Sequence, residues 1–112
     1  MIVREWRMRA APDREAKAAA YLDRTGVADA EATPGNRGAL LVRRPTADGL
    51  VEFTLLTFWD SMESIREFAG EDPERAVRYP ADDLYFEGID LEVSHHEVVD
   101  VPPLEQEVDA SG

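Results

Sequence analysis

The stretch EFTLLTFWDSMESIREFAGEDPERAVRYP, Glu52 to Pro80, decides the fold. Leu50 to Trp59 reads as a strand in which Phe53, Leu55, Thr57 and Trp59 alternate with Glu52, Thr54, Leu56 and Phe58. A period of two sends these sets to opposite faces. Both carry large apolar groups near the strand's end, so both faces need cover. Asp60 follows as the predicted cap of a helix, with Glu63 at the third helical position in capping-box fashion. Met62, Ile65, Phe68 and Ala69 then share one helical side until Gly70 stops the run. Asp72 and Pro73 are the predicted cap and first residue of a second, short helix that ends before Tyr79 and Pro80.

Outward from this segment, IVREWRMRA (2–10) alternates Ile2, Arg4, Trp6 and Met8 against Val3, Glu5, Arg7 and Arg9, a first strand with one more apolar face. Pro12 sits at a first helical position, Asp13 and Glu15 occupy the first turn, and Gly26 is the predicted stop. Ala11, Ala18, Tyr21 and Leu22 would share the buried side. Thr33, Pro34, Gly35, Asn36 and Gly38 mark Val27 to Gly38 as a loop. Ala39 to Arg44 is a second strand, joined to the third by a hairpin through Pro45, Ala47, Asp48 and Gly49, and Leu91 to Val99 is the last.

The order β-α-β-β-α-(short helix)-β is the ferredoxin-like split βαβ arrangement: an α+β fold with a four-stranded antiparallel sheet and two helices on one face. It occupies one domain, 1–100, followed by an acidic, proline-containing tail, 101–112, expected to fray or to strap a partner. Two helices cover one face only. Leaving Leu56 and Phe58 in water would expose more apolar surface than monomers tolerate, so the sequence predicts a homodimer through sheet-to-sheet packing, a dimeric α+β barrel.

Composition narrows the chemistry. A chain of 112 residues with 44% apolar content suits a single domain with its own core. No charged-then-apolar leader and no spanning apolar run are read, so a soluble, cytoplasmic protein without membrane contact is expected. The absence of cysteine removes disulfides, thiolate metal sites and a cysteine nucleophile. With 24 acidic against 12 basic residues, the net charge of −12 opposes nucleic acid or anionic lipid as a partner. His95 and His96 are the only histidines and, adjacent on a strand, they point to opposite faces. His95 and Glu97 share a face but give two ligands at most, fewer than an open catalytic metal site requires, so no metal is expected. No phosphate loop, dinucleotide fingerprint or nucleophile elbow is present, and no cofactor is expected.

The runs PGNRGALLVRR, VEFTLLTFWDSMESIREFAGEDPERAVRYPADD and HHEVV resemble the antibiotic biosynthesis monooxygenase-like family of the dimeric α+β barrel superfamily, across most of Asn36 to Val99. The resemblance implies a ferredoxin-like protomer paired sheet to sheet. It does not choose among the superfamily's activities, which include cofactor-independent quinone-forming monooxygenases, haem-degrading enzymes, isomerases and decarboxylases. The haem-degrading machinery implies an Asn on the first strand, a Trp late in the second long helix and a His about ten residues beyond it. Here the late-helix position is Phe68, Arg78 stands ten residues on, and the first strand has no Asn. Trp59 matches a family tryptophan that borders the substrate pocket.

In the cofactor-free oxygenase reading, deprotonating an electron-rich aromatic substrate makes an anion that itself reacts with dioxygen. His95 is then the candidate general base. Trp59, Phe58 and Tyr21 are candidate aromatic walls for a small apolar or aromatic ligand, and Tyr79 or Arg78 a donor to the developing oxyanion. Each also has a plain structural use: core packing for Trp59 and Phe58, loop closure for Tyr79, ion pairing for Arg78 and an interface role for His95. The sequence therefore supports an enzyme acting on an aromatic or polyketide-like metabolite, a non-catalytic small-molecule-binding dimer, and an accessory dimer whose features are all packing. A ligand-sized pocket with a titratable group in reach separates the first from the others.

Overall fold

A computed structural model describes residues 1–100, and the acidic tail lies outside the described residues. Strand β1 (Ile2–Ala10) is central. It pairs antiparallel with β3 (Val51–Trp59) from Ile2 opposite Trp59 to Ala10 opposite Val51, and β3 pairs in turn with β2 (Asn36–Pro45). On the other side of β1 lie two short strands, β4 (Gly88–Ile89) opposite Met8 and Arg9, and β5 (Ser94–Glu97) opposite Ile2 to Glu5. They share one edge, so the order β2-β3-β1-β4/β5 is that of the ferredoxin-like sheet. The predicted single strand Leu91–Val99 is thus a broken one. Its first part leaves the ladder where Leu91 and Val93 turn to meet the preceding segment through Ala76 N–H to Leu91 O and Val93 N–H to Glu74 O.

The helical layer also departs from expectation. A 3₁₀ turn at Pro12–Arg14 leads into α1 (Glu15–Leu22), but Gly26 does not stop the helix. It lies in a π-helical segment, Asp23–Val27, that continues into α2 (Ala28–Glu31). Glycine is a weak helix residue rather than an obligatory end, and Gly26 and Val27 are buried against the sheet layer, which holds the segment helical. The helix ends at Glu31, and the turn that follows contains Gly35, whose φ of +90° favours glycine and where an added Cβ would lie 2.0 Å from the Ser64 Oγ.

Helix α3 (Met62–Ala69) is capped by Ser61, not Asp60: the Ser61 hydroxyl accepts from the Ser64 N–H at 3.2 Å, which leaves Asp60 free to pair with Arg37 at 2.9 Å. Gly70 closes it, as expected, with φ +92°. The short helix predicted from Asp72 is absent. Residues 72–80 make one turn and then run extended, because Arg75 bridges to Glu92 as an extra sheet-like pair, and the short helix appears one segment later as α4 (Asp82–Tyr85).

The core lies between sheet and helices. Arg4, Trp6, Met8 and Ala10 of β1 and Val51, Phe53, Leu55, Thr57 and Trp59 of β3 are all buried, the alternate residues less so. Ala18, Tyr21 and Leu22 pack onto them from α1 and Ile65 from α3. The opposite face is open in the single chain: Leu40 and Val42 are 46% and 44% exposed, on the same side as Leu56 and Phe58.

Candidate functional site

A charge interrupts the apolar face of β1. Arg4 is 4% exposed and points into the layer between sheet and helices, where its Nη2 donates to the carbonyls of Arg75 (2.8 Å) and Pro73 (3.3 Å). Its guanidinium lies 5.5 Å from the centre of the Phe68 ring. Among the described residues it forms no ion pair, and its Nε is buried without a hydrogen-bond partner. Burial pulls its pKa down to about 10. A buried cation held by neutral carbonyls and a ring face, with no carboxylate beside it, is a costly arrangement.

Arg4 lines an enclosed cavity together with Trp6, Gly26, Leu55, Thr57, Phe68, Val77 and Tyr79. Its volume is about 10 Å³, room for roughly one water. Phe68, Val77 and Tyr79 also line a surface cleft of about 320 Å³ on the other side, with Asp29, Thr33 and Glu67. These side chains are the partition between cleft and cavity. The Tyr79 hydroxyl is latched to Asp29 Oδ2, and burial together with that hydrogen bond raises its pKa well above the ordinary tyrosine value. The π-helical segment contributes Gly26, where an added Cβ would lie 3.5 Å from Leu55 Cδ2; such interruptions recur where helices line functional sites.

His95 stands directly opposite Arg4 across the β1–β5 pair. It lines a separate open cleft of about 380 Å³ with Met1, Ile2, Asp60, Met62, His96 and Glu97. Its Nε2 is buried without a partner. Desolvation first, and then the Arg4 charge, push its pKa below the ordinary histidine value, while Glu74 opposes them weakly. His96 points to the open sheet face and pairs with Glu5 at 2.9 Å.

The other residues singled out from sequence are dispersed. Trp59 is fully buried. Its Nε1 donates to the Thr57 hydroxyl at 2.8 Å and its ring sits 5.4 Å from that of Phe68, so it positions two cavity-lining groups from behind. Tyr79 reaches the cavity. Phe58 lies on the open sheet face, paired with Val3 in register. Tyr21 donates to buried Asp82 at 2.7 Å and stacks on Tyr85; desolvation first, and then that hydrogen bond, raise its pKa to about 12. Arg78 pairs with Asp82 and Asp83, each at 3.1 Å, outside the cavity. Arg4, Thr57 and Val77 were not singled out from sequence as site residues. For Arg4 the signal was present, as the one charge on an otherwise apolar strand face.

Among the described residues no cluster of three or more metal-ligating side chains occurs, and no helix is long and apolar enough to cross a membrane. The chain matches no protein-family profile and no curated protein. Solved structures do resemble it. A candidate antibiotic biosynthesis monooxygenase from Chloroflexus aurantiacus superposes with a TM-score of 0.51 at 23% identity, covering 90% of this chain and 93% of that one. Rv0793 from Mycobacterium tuberculosis gives 0.50 at 20% identity, covering 90% and 95%. The chain therefore shares with these two proteins the ferredoxin-like α+β fold that the split βαβ order of its sequence predicts.

Proposed function

We propose that the protein is a member of the antibiotic biosynthesis monooxygenase-like group that oxidises an electron-rich hydroxyaromatic or polyketide-like metabolite with dioxygen, without a cofactor. The observation that carries this reading is the buried, carboxylate-free Arg4 directly opposite His95, a base kept neutral. In the reaction His95 takes a proton from the substrate, and the resulting anion, delocalised onto oxygen, is held by Arg4. The carbanionic ring carbon then reduces dioxygen. One oxygen atom becomes the new carbonyl of a quinone, the other leaves as water, and the substrate supplies all the electrons. The fold shared with a candidate monooxygenase supports the same class.

The active form is proposed to be a homodimer in which the open faces bearing Leu40, Val42, Leu56 and Phe58 meet. A binding-only dimer is the second reading, favoured by the open cleft of about 380 Å³, since the inner cavity of about 10 Å³ has no room for a ligand. Oxygen-electrode assays on chelator-treated protein with anthrone- and naphthol-type substrates decide between them. The oxygenase predicts oxygen uptake with stoichiometric quinone, lowered on the order of a hundredfold by His95→Ala. Tight binding with no uptake above the uncatalysed rate overturns the oxygenase in favour of the binder.

A further inference from the structure

We infer that Tyr79 is a gate: its ring, latched by Asp29, closes a passage that leads from the cleft between α2, α3 and residues 72–80 to the buried guanidinium of Arg4. Access through it is a property of the unliganded chain and holds whether or not the oxygenase reading does.

Phe68, Val77 and Tyr79 line both the enclosed cavity of about 10 Å³ and the open cleft of about 320 Å³. They form the wall common to the two spaces, and neither space is a complete site alone. The cavity has room for about one water. The cleft is of ligand size but does not reach Arg4. Joined, they make one ligand-sized space that ends on a cation whose Nε is buried without a hydrogen-bond partner among the described residues, a state that buried polar groups rarely keep.

Of the three wall residues, Tyr79 is the one placed to move. The Phe68 ring is held from two sides, 5.4 Å from the Trp59 ring and 5.5 Å from the Arg4 guanidinium, and Val77 has too short a side chain to uncover much by turning. The Tyr79 backbone is tied down: its N–H donates to Asp82 Oδ2 at 3.0 Å and its carbonyl accepts from the Asp82 N–H at 3.1 Å. Asp82 is itself buried. The ring can therefore turn about its Cα–Cβ bond while the chain stays in place. Its hydroxyl makes one hydrogen bond among the described residues, to Asp29 Oδ2, at the surface, and a bond of that kind to a carboxylate favours the closed position by about tenfold or more. The mouth carries the carboxylates of Asp29 and Glu67 and the inner end carries Arg4. An anion meets like charge on entry and a cation meets it on arrival, so the passage suits a neutral molecule.

The chain has no cysteine, so Thr57→Cys, in the buried wall of the cavity, is a single reporter of access. Its labelling by methyl methanethiosulfonate, a small neutral thiol reagent, should speed up about tenfold or more when the latch is removed by Tyr79→Phe or Asp29→Ala. Met8→Cys, buried on the same sheet face but outside the cavity wall, should label at an unchanged rate. Quenching of Trp6, which lines the cavity, repeats the comparison in the cysteine-free chain: removing the latch should raise quenching by neutral acrylamide and leave quenching by iodide nearly unchanged. Labelling of Thr57→Cys that does not respond to loss of the latch overturns the gate, because Tyr79 then closes nothing. Labelling that rises together with that of Met8→Cys, or equal gains for acrylamide and iodide, also overturns it, because the variants then loosen the whole fold.

Discussion

Replacing Arg4 with methionine separates what the residue does for the fold from what it does for a ligand. Its pKa is pulled down to about 10 by burial, and a drop of two to three decades from the ordinary arginine value corresponds to about 3 kcal/mol spent on keeping the charge out of water. Against this stand two hydrogen bonds to carbonyls, at 2.8 and 3.3 Å, together worth roughly 2–3 kcal/mol once the orphaned acceptors are counted. The contact with Phe68 is replaced by a sulfur–aromatic one of similar size, about 1 kcal/mol. Methionine fills much of the same volume without a charge to bury, so Arg4→Met should change unfolding free energy by no more than about 1 kcal/mol in either direction. That is a shift of no more than about 8 °C in melting temperature for a domain of this size. Urea unfolding followed by tryptophan fluorescence is the assay, since Trp6 and Trp59 are both buried, with protein concentration fixed to hold any association constant. A loss of more than about 3 kcal/mol at unchanged m-value would refute the reasoning and make Arg4 a structural anchor of the 73–75 segment.

Other perturbations follow from single contacts. Gly35→Ala places a Cβ 2.0 Å from Ser64 Oγ at a positive φ, and should cost at least about 2 kcal/mol by the same unfolding assay. Asp82 is 1% exposed and accepts from Tyr21 Oη (2.7 Å), the Tyr79 N–H (3.0 Å) and Arg78 Nε (3.1 Å), so Asp82→Ala should destabilise by roughly 2–4 kcal/mol, whereas Asp83→Ala should be nearly silent. His95 titrates below the ordinary histidine value in the folded chain, so the unfolded chain binds its proton first. Stability then falls as pH drops through about 6.5, and His95→Gln should flatten that part of the stability–pH curve. Catalysis through His95 should likewise show an acidic limb in kcat/KM centred below the ordinary histidine value, absent from the residual activity of that variant.

Sequence periodicity carried the architecture because the strands obey it. The alternation in Ile2–Ala10 and Val51–Trp59 gave both the pairing and the buried face, and the observed register places Trp6 against Leu55 and Met8 against Phe53, core against core. Errors fell where local signals met tertiary ones. Gly26 has the composition of a helix end, but its packing on the sheet keeps the backbone helical. Asp60 and Ser61 are both competent caps, and the pairing of Asp60 with Arg37 across 23 residues decided between them. The Asp72-Pro73 start signal was overridden by pairing between Arg75 and Glu92. The candidate site was legible in part: His95, read from the sequence as a candidate base, lies opposite Arg4, and Trp59, read as a candidate wall, stands one layer behind the cavity. Arg4 was read as one member of an apolar alternation, although a lone charge on such a face is the informative departure from it. Its partners, the Pro73 and Arg75 carbonyls, come from a segment about 70 positions away, and long-range pairing of that kind has no local pattern.

Native mass spectrometry of the gently purified protein in the presence of 1-naphthol tests the central claim most directly, because it reports assembly and occupancy together. The account predicts a dimer carrying one naphthol per protomer, with the ligand lost from Arg4→Met and the dimer retained. A monomer, or a dimer that stays bare at ligand concentrations in large excess, would contradict it.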